Sequence, residues 1–188
     1  VSFRFGSVNG FILAGFLFFA FLLFLIGATD VTTFFENDRE YGIIPDPLVI
    51  VLLAGGLVFV PFNPLLSDAA SIQDPSRIAM WKMPVWQARM VLVLTGGAGG
   101  ILFMSGFRWL GEKLFSQESL GIGDIKLVGA AGIWLGWKGV LFMIIAGSLA
   151  GSVISITLIA LNKMDRRSPV PFGPFLACGA IAALFYIR

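Results

Sequence analysis

Two aspartates stand where apolar sequence gives way to polar sequence. Asp30 follows a charge-free run in Ile26-Gly27-Ala28-Thr29-Asp30, and Asp124 opens another apolar segment in Gly121-Ile122-Gly123-Asp124-Ile125-Lys126-Leu127. If successive apolar segments are helices of alternating direction, the end of the first and the start of the fourth fall on one side. The two acids can then meet across a bundle. An ionisable group at such a boundary is costly and marks a candidate site. Two neighbouring carboxylates in a low-dielectric setting do not readily both ionise, so their titrations couple and they come to share a proton. The ionised partner can take a proton from water while the protonated one polarises a carbonyl and later donates to a leaving amine, which is the chemistry of amide hydrolysis. A carboxylate in the first turn of a helix, as Asp124 would be, is also favoured by the unpaired amides there. Gly121 and Gly123, lacking side chains, would let a substrate backbone come close. The same positions have a plain structural account, since Asp is a routine helix cap and is often solvated after an apolar span. Position alone leaves both accounts open.

The elements that must hold these acids are apolar. The chain has 188 residues, 57% hydrophobic and 13% charged, with a mean hydropathy of +0.91. An ordinary soluble domain carries about 25% charged residues. Gly10–Ala28 holds no charge and is about long enough to cross the hydrocarbon core as a helix. It is too long for the apolar part of a signal peptide, and the other apolar segments need a membrane as well. The sequence opens on Val1, which leaves open what precedes it. There is no histidine, and the one cysteine, Cys178, lies in an apolar run. Ser-His and Cys-His catalysis, an intrachain disulfide and a cysteine zinc site are thereby excluded. Carboxylates, Lys, Tyr, Ser and Thr remain. A formal net charge of +2, spread along the chain, argues against nucleic acid as a partner.

Six apolar segments can be drawn: Gly10–Ala28, Leu48–Phe62, Val85–Phe107, Asp124–Trp137, Val140–Leu161 and Phe172–Ile187. Lipid offers no hydrogen bonds to backbone, so helices are expected, and the reading is an all-α polytopic membrane bundle of about six transmembrane helices. The second and fourth are short and would tilt or thin the bilayer. The stretches between, Val31–Ile44, Asn63–Lys82, Arg108–Gly123 and Asn162–Val170, are of loop length, so a single membrane-embedded domain over residues 1–188 is expected. Small-xxx-small pairs at Gly96/Gly100, Gly132/Gly136 and Gly147/Gly151 suit close helix packing. Seven basic residues fall on the side of the odd loops and six on the other. The cluster Lys163, Arg166 and Arg167 tips the odd loops, and both acids with them, toward the cytoplasm.

Gly121-Ile-Gly-Asp-Ile-Lys-Leu, running into Gly132-Ile-Trp-Leu-Gly-Trp137, resembles the hallmark of the prepilin peptidases, the GxGD-type membrane aspartyl proteases. Two further blocks look like that family in the expected order. One is Asp30 followed by Ile44-Pro45-Asp46-Pro47-Leu48 and an apolar helix ending near Gly56-Leu57, and the other is Pro171-Phe172-Gly173-Pro174-Phe175-Leu176. The resemblance covers nearly the whole chain. It implies catalytic aspartates at Asp124, the acid of the GxGD motif, and at one acid after the first span, both facing the cytoplasm. Asp30 abuts the span and sits in the segment Ala28-Thr29-Asp30-Val31-Thr32-Thr33 that resembles the family's. Asp38 is its rival: it lies seven positions before Pro45, the family's more usual spacing, against fifteen for Asp30.

The resemblance further implies a peptidase that removes leader peptides from type IV prepilin-like precursors, pilins or pseudopilins, at the cytoplasmic face of the inner membrane, with no metal or organic cofactor. Lys126 could touch a substrate carboxyl or tune Asp124, or simply snorkel to the interface. Asp46 would cap the following helix. The acids Glu36, Asp38 and Glu40 would complement a basic leader. The paired Cys-x-x-Cys motifs of many bacterial relatives find no match here, so the peptidase portion is expected without an N-terminal zinc or methyltransferase part. A small transporter or proton-relay subunit would use the same intramembrane acids, and a non-catalytic assembly relative would keep them idle. The oligomeric state and the particular prepilin are not readable from the residues.

Overall fold

The structure, a computed structural model, describes residues 10–36, 44–59, 85–115, 120–161 and 170–186. Every regular element among them is helical: α1 (Gly10–Glu36), α2 (Asp46–Phe59), α3 (Val85–Phe115), α4 (Ile122–Ala160) and α5 (Gly173–Tyr186). Stretches within α1, α3 and α4 are long and apolar enough to cross a membrane, while α2 and α5 are shorter apolar helices. The expected six segments are thus five helices, because the fourth and fifth run together in α4.

Gly136 explains the merger. Its φ of 66° and ψ of 178° interrupt α4, a conformation open essentially to glycine alone. Gly100 of α3 faces both arms: a Cβ there would lie 3.0 Å from Val128 and 3.2 Å from Val140. In a straight helix those valines would be about 18 Å apart, so α4 folds back on itself at Gly136.

Neighbouring contacts fix the directions. Trp134 of α4 donates its indole N–H to the Leu52 carbonyl at 2.8 Å, and Gly123 meets Ile44 just before α2, so α2 runs parallel to the first arm. α3 runs antiparallel to that arm, with Gly96 on Gly132 and Gly100 on Val128. α5 runs antiparallel to the second arm, with Gly147 against the Phe175–Leu176 backbone and Gly179 against Met143. It is also antiparallel to α1, where Gly27 meets Pro174 and Ala177. The end of α1 and the starts of α2, α4 and α5 therefore gather at one end of the bundle.

The packing is that of a lipid-solvated protein. Residues Leu127 through Gly136 are buried without interruption, which makes the first arm of α4 the central rod. Trp134 stacks on Phe19 and Phe59 with ring centroids 4.9 and 5.2 Å away. Large apolar side chains face outward in quantity, among them Phe24, Val58, Leu102, Ile156 and Phe185. At the close crossings the glycines bring backbones together: a Cβ on Gly96 would lie 2.7 Å from the Gly132 carbonyl oxygen, and one on Gly132 equally close to that of Gly96. Association in lipid depends on this kind of contact more than on a hydrophobic drive.

α1 departs from the expectation at its end. The sequence predicts a span ending at Ala28 and a polar stretch from Val31, yet the helix continues through Glu36. The threonines make this possible. Thr29 donates its hydroxyl to the Leu25 and Ile26 carbonyls at 3.0 and 2.9 Å, and Thr33 to those of Thr29 and Asp30 at 2.8 and 3.2 Å. Back-bonded in this way, their polar groups are satisfied by the helix itself. Asp30 thus sits inside α1 and not after it. α3 likewise continues past Phe107 to Phe115, with Arg108 paired to Glu112 at 2.6 Å one turn on.

Candidate active site

Asp30 and Asp124 are the buried charged residues among those described, 4% and 8% exposed. Burying a carboxylate without partners is prohibitive, so the question is what each one touches.

Asp30 points from α1 to the start of α5. Its carboxylate accepts a hydrogen bond from the Gly173 backbone N–H. That amide is one of the first-turn donors with no partner inside its own helix; the Phe172 carbonyl already takes the Phe175 and Leu176 amides at 3.1 Å each, and Pro174 has no N–H to offer. The fit is close, because a Cβ on Gly173 would lie 2.6 Å from Asp30 Oδ2. A side chain at 173 would force the Asp30 carboxylate to shift.

Asp124 is the third residue of α4, whose N-cap Gly121 is extended (φ −66°, ψ 142°) and makes no side-chain cap. A Cβ on Gly121 would lie 3.5 Å from Asp124 Oδ2, so the carboxylate turns back over the helix start, where the dipole favours negative charge. Asp30 is near enough for its charge to act on Asp124. One seam joins the two: Asp30 and Ile44 both border the space where a Gly173 side chain would be, and Ile44 borders that of Gly123, next to Asp124. The structure brings together the two acids that the sequence singles out.

The other sequence candidates fall as follows. Asp38 and Glu40 lie outside the described residues, as do Lys163, Arg166 and Arg167. Gly121 is exposed beside Asp124. The space left by Gly123 is occupied by Ile44 of the same chain, 3.1 Å from where a Cβ would be. Lys126 pairs with Asp46 at 2.6 Å, with about half of each side chain exposed, and so ties the start of α4 to the start of α2. Sequence reasoning placed both of these residues at helix starts but did not pair them. It missed Ile44, which it quoted only as part of a block, and Trp134, whose N–H crosses to α2; an apolar side chain carries no chemical signal of such a position. Among the described residues no group of three metal-ligating side chains occurs.

Residues 17–156 match the type IV leader peptidase family, a range that takes in both aspartates and stops before Gly173. A prepilin leader peptidase/N-methyltransferase of Aeromonas hydrophila is 32% identical over 154 residues, covering 82% of this chain and 45% of that protein. Proteins of the same name from Burkholderia pseudomallei and Pseudomonas aeruginosa are 30% and 29% identical over 149 residues, 79% of this chain and 41% and 44% of theirs. The chain spans less than half the length of these relatives. No solved structure gives a significant match. With about three quarters of its length matched, and with a membrane-type helical fold around two buried aspartates, the chain belongs to the type IV leader peptidase family.

Proposed function

We propose that the protein is an aspartic endopeptidase that removes leader peptides from type IV prepilin-like precursors at the cytoplasmic face of the inner membrane. One observation carries this reading: two buried carboxylates from distant parts of a chain of this family converge at one end of a helical bundle. Asp30 and Asp124 share the work. One, ionised, takes a proton from the attacking water; the other, protonated, polarises the scissile carbonyl and then hands its proton to the leaving amine. A buried setting strengthens such interactions and keeps bulk water from competing. The amide of Gly173 fixes where Asp30 sits, and the exposed Gly121 leaves the substrate backbone an approach to Asp124.

The fold-back of α4 supports counting its arms as two spans, which gives six in all with both acids on one face. Its 39 residues would be about 58 Å long if straight, near twice the hydrocarbon thickness. The substrates expected are prepilin-like precursors with basic leaders.

The test is cleavage of a prepilin-like peptide by the purified chain. Asp124→Asn and Asp30→Asn are each expected to lose about a thousandfold or more in kcat, since each removes one half of the acid–base pair. Parent-like cleavage by both variants would end the aspartic mechanism. Cleavage retained in Asp30→Asn but lost in Asp38→Asn would move the first role to Asp38.

A further inference from the structure

We propose that Ile44 is a positioning residue of the aspartate pair, a wedge that sets the spacing between the starts of α4 and α5 and hence between Asp124 and Asp30. The proposal rests on the aspartic reading above.

Ile44 lies outside any helix, directly before Pro45, yet it is 8% exposed. The three atoms nearest to a Cβ placed on Gly123 all belong to it: Cβ at 3.1 Å, Cγ1 at 3.2 Å and Cδ1 at 3.3 Å. Its Cδ1 is also 3.4 Å from a Cβ placed on Gly173. One side chain therefore bears on two glycines from opposite elements. Gly123 immediately precedes Asp124, and Gly173 donates the hydrogen bond to Asp30.

The wedge is seated and stiff. The Pro45 carbonyl accepts the Leu48 and Val49 amides at 3.1 and 3.4 Å, which fixes the backbone beside Ile44 to the first turn of α2. Asp46 pairs with Lys126 of α4 at 2.6 Å, holding that turn against the strand of contacts it serves. Branching at Cβ limits the side chain to few rotamers. Close-packed interiors pass on a displacement instead of absorbing it, so trimming Ile44 moves the two helix starts relative to each other. A misplacement of about 1 Å at reacting groups costs on the order of a hundredfold in rate. Both glycines are needed for the wedge to reach, which gives the Ile44-Pro45 block and the Gly173 block a joint mechanical purpose.

The experiment measures kcat and KM of the full chain in detergent with the same prepilin-like peptide, alongside thermal melting of each variant. Ile44→Val keeps the Cβ and Cγ1 over Gly123 and loses the Cδ1 that lies near both glycines; it is expected to lower kcat a fewfold. Ile44→Ala keeps only the Cβ over Gly123 and loses the contact with Gly173 altogether; it is expected to lower kcat about a hundredfold with KM little changed. Adding Gly123→Ala to Ile44→Ala returns a methyl to the vacated space, and the double variant is expected to recover part of the lost kcat. Parent kcat in Ile44→Ala would overturn the inference, as would losses that only follow the fraction of folded protein, or a double variant no better than the product of the singles. Asp124→Asn, run in parallel, separates the failures: if it stays active the aspartic reading goes first, and if it is dead only the wedge is at stake.

Discussion

Gly173 serves Asp30 twice, through its amide and through the side chain it lacks. A methyl there would stand 2.6 Å from Asp30 Oδ2 and force the carboxylate off its hydrogen bond. Gly173→Ala is therefore expected to lower kcat by about a hundredfold or more while the protein still melts cooperatively, checked by cleavage and melting on the same preparation. Gly121 offers the opposite case. Its φ of −66° suits any residue, and a methyl would make ordinary contact with Asp124. Gly121→Ala should change stability by no more than about 0.5 kcal/mol, and any effect on cleavage should then appear in KM, as expected if the substrate backbone passes there. Because the mechanism needs one acid protonated and one ionised, the rate should follow a bell across pH; a rate that rises steadily in one direction would contradict a working pair. At this scale the sequence was readable where chemistry needs a particular residue type. Asp124 and the glycines around it announce themselves, as does the Pro171–Leu176 block. Ile44 does not, since an isoleucine before a proline looks like any entry to a helix, and its role depends on two glycines 79 and 129 positions further on.

Among the elements, α4 carries the most consequence. At Gly136 any L-residue would be strained, by about 1–3 kcal/mol, and its backbone is packed at the α3 crossing, where a Cβ on Gly96 would lie 2.9 Å from it. Gly136→Ala is expected to lower stability by that amount or more, read as a drop in melting temperature in detergent. The Asp46–Lys126 pair is a contrast. Roughly half exposed on both sides, it is worth at most about 1 kcal/mol, so Lys126→Gln should have a small, salt-sensitive effect on melting. The sequence marked Gly132 and Gly136 as a packing pair, and the structure uses both in that way. What spacing could not reveal is that Gly136 also turns the chain, because glycine is neutral between left- and right-handed backbone until tertiary contacts choose. The continuation of α1 past Ala28 was hidden for a similar reason: Thr29-Asp30-Val31-Thr32-Thr33 looks like a helix exit unless the threonine hydroxyls bond back to the preceding turn.

At the scale of the molecule, the exterior is apolar and the interior is small. Phe24, Val58, Leu102 and Phe185 are each about two thirds exposed or more, and in water such a surface would aggregate. The chain is expected to remain in the membrane fraction through alkaline carbonate and high salt and to leave it only with detergent; release by salt would contradict the reading of the long helices as spans. This much was legible from hydropathy, since composition alone fixes lipid as the solvent. The pairing of helices was not, because a Leu-rich face looks the same whether it meets lipid or a neighbour.

A turn made by one glycine also bears on how the molecule is made. In the six-span reading the two arms of α4 have no loop between them, only Gly136, Trp137 and Lys138 before the second arm resumes. Neither arm can be left in water while the other waits, so the translocon must receive them as one unit and release them into the bilayer together. A variant that delays the second arm would hold the first out of the bilayer, and so keep Asp124 from reaching Asp30.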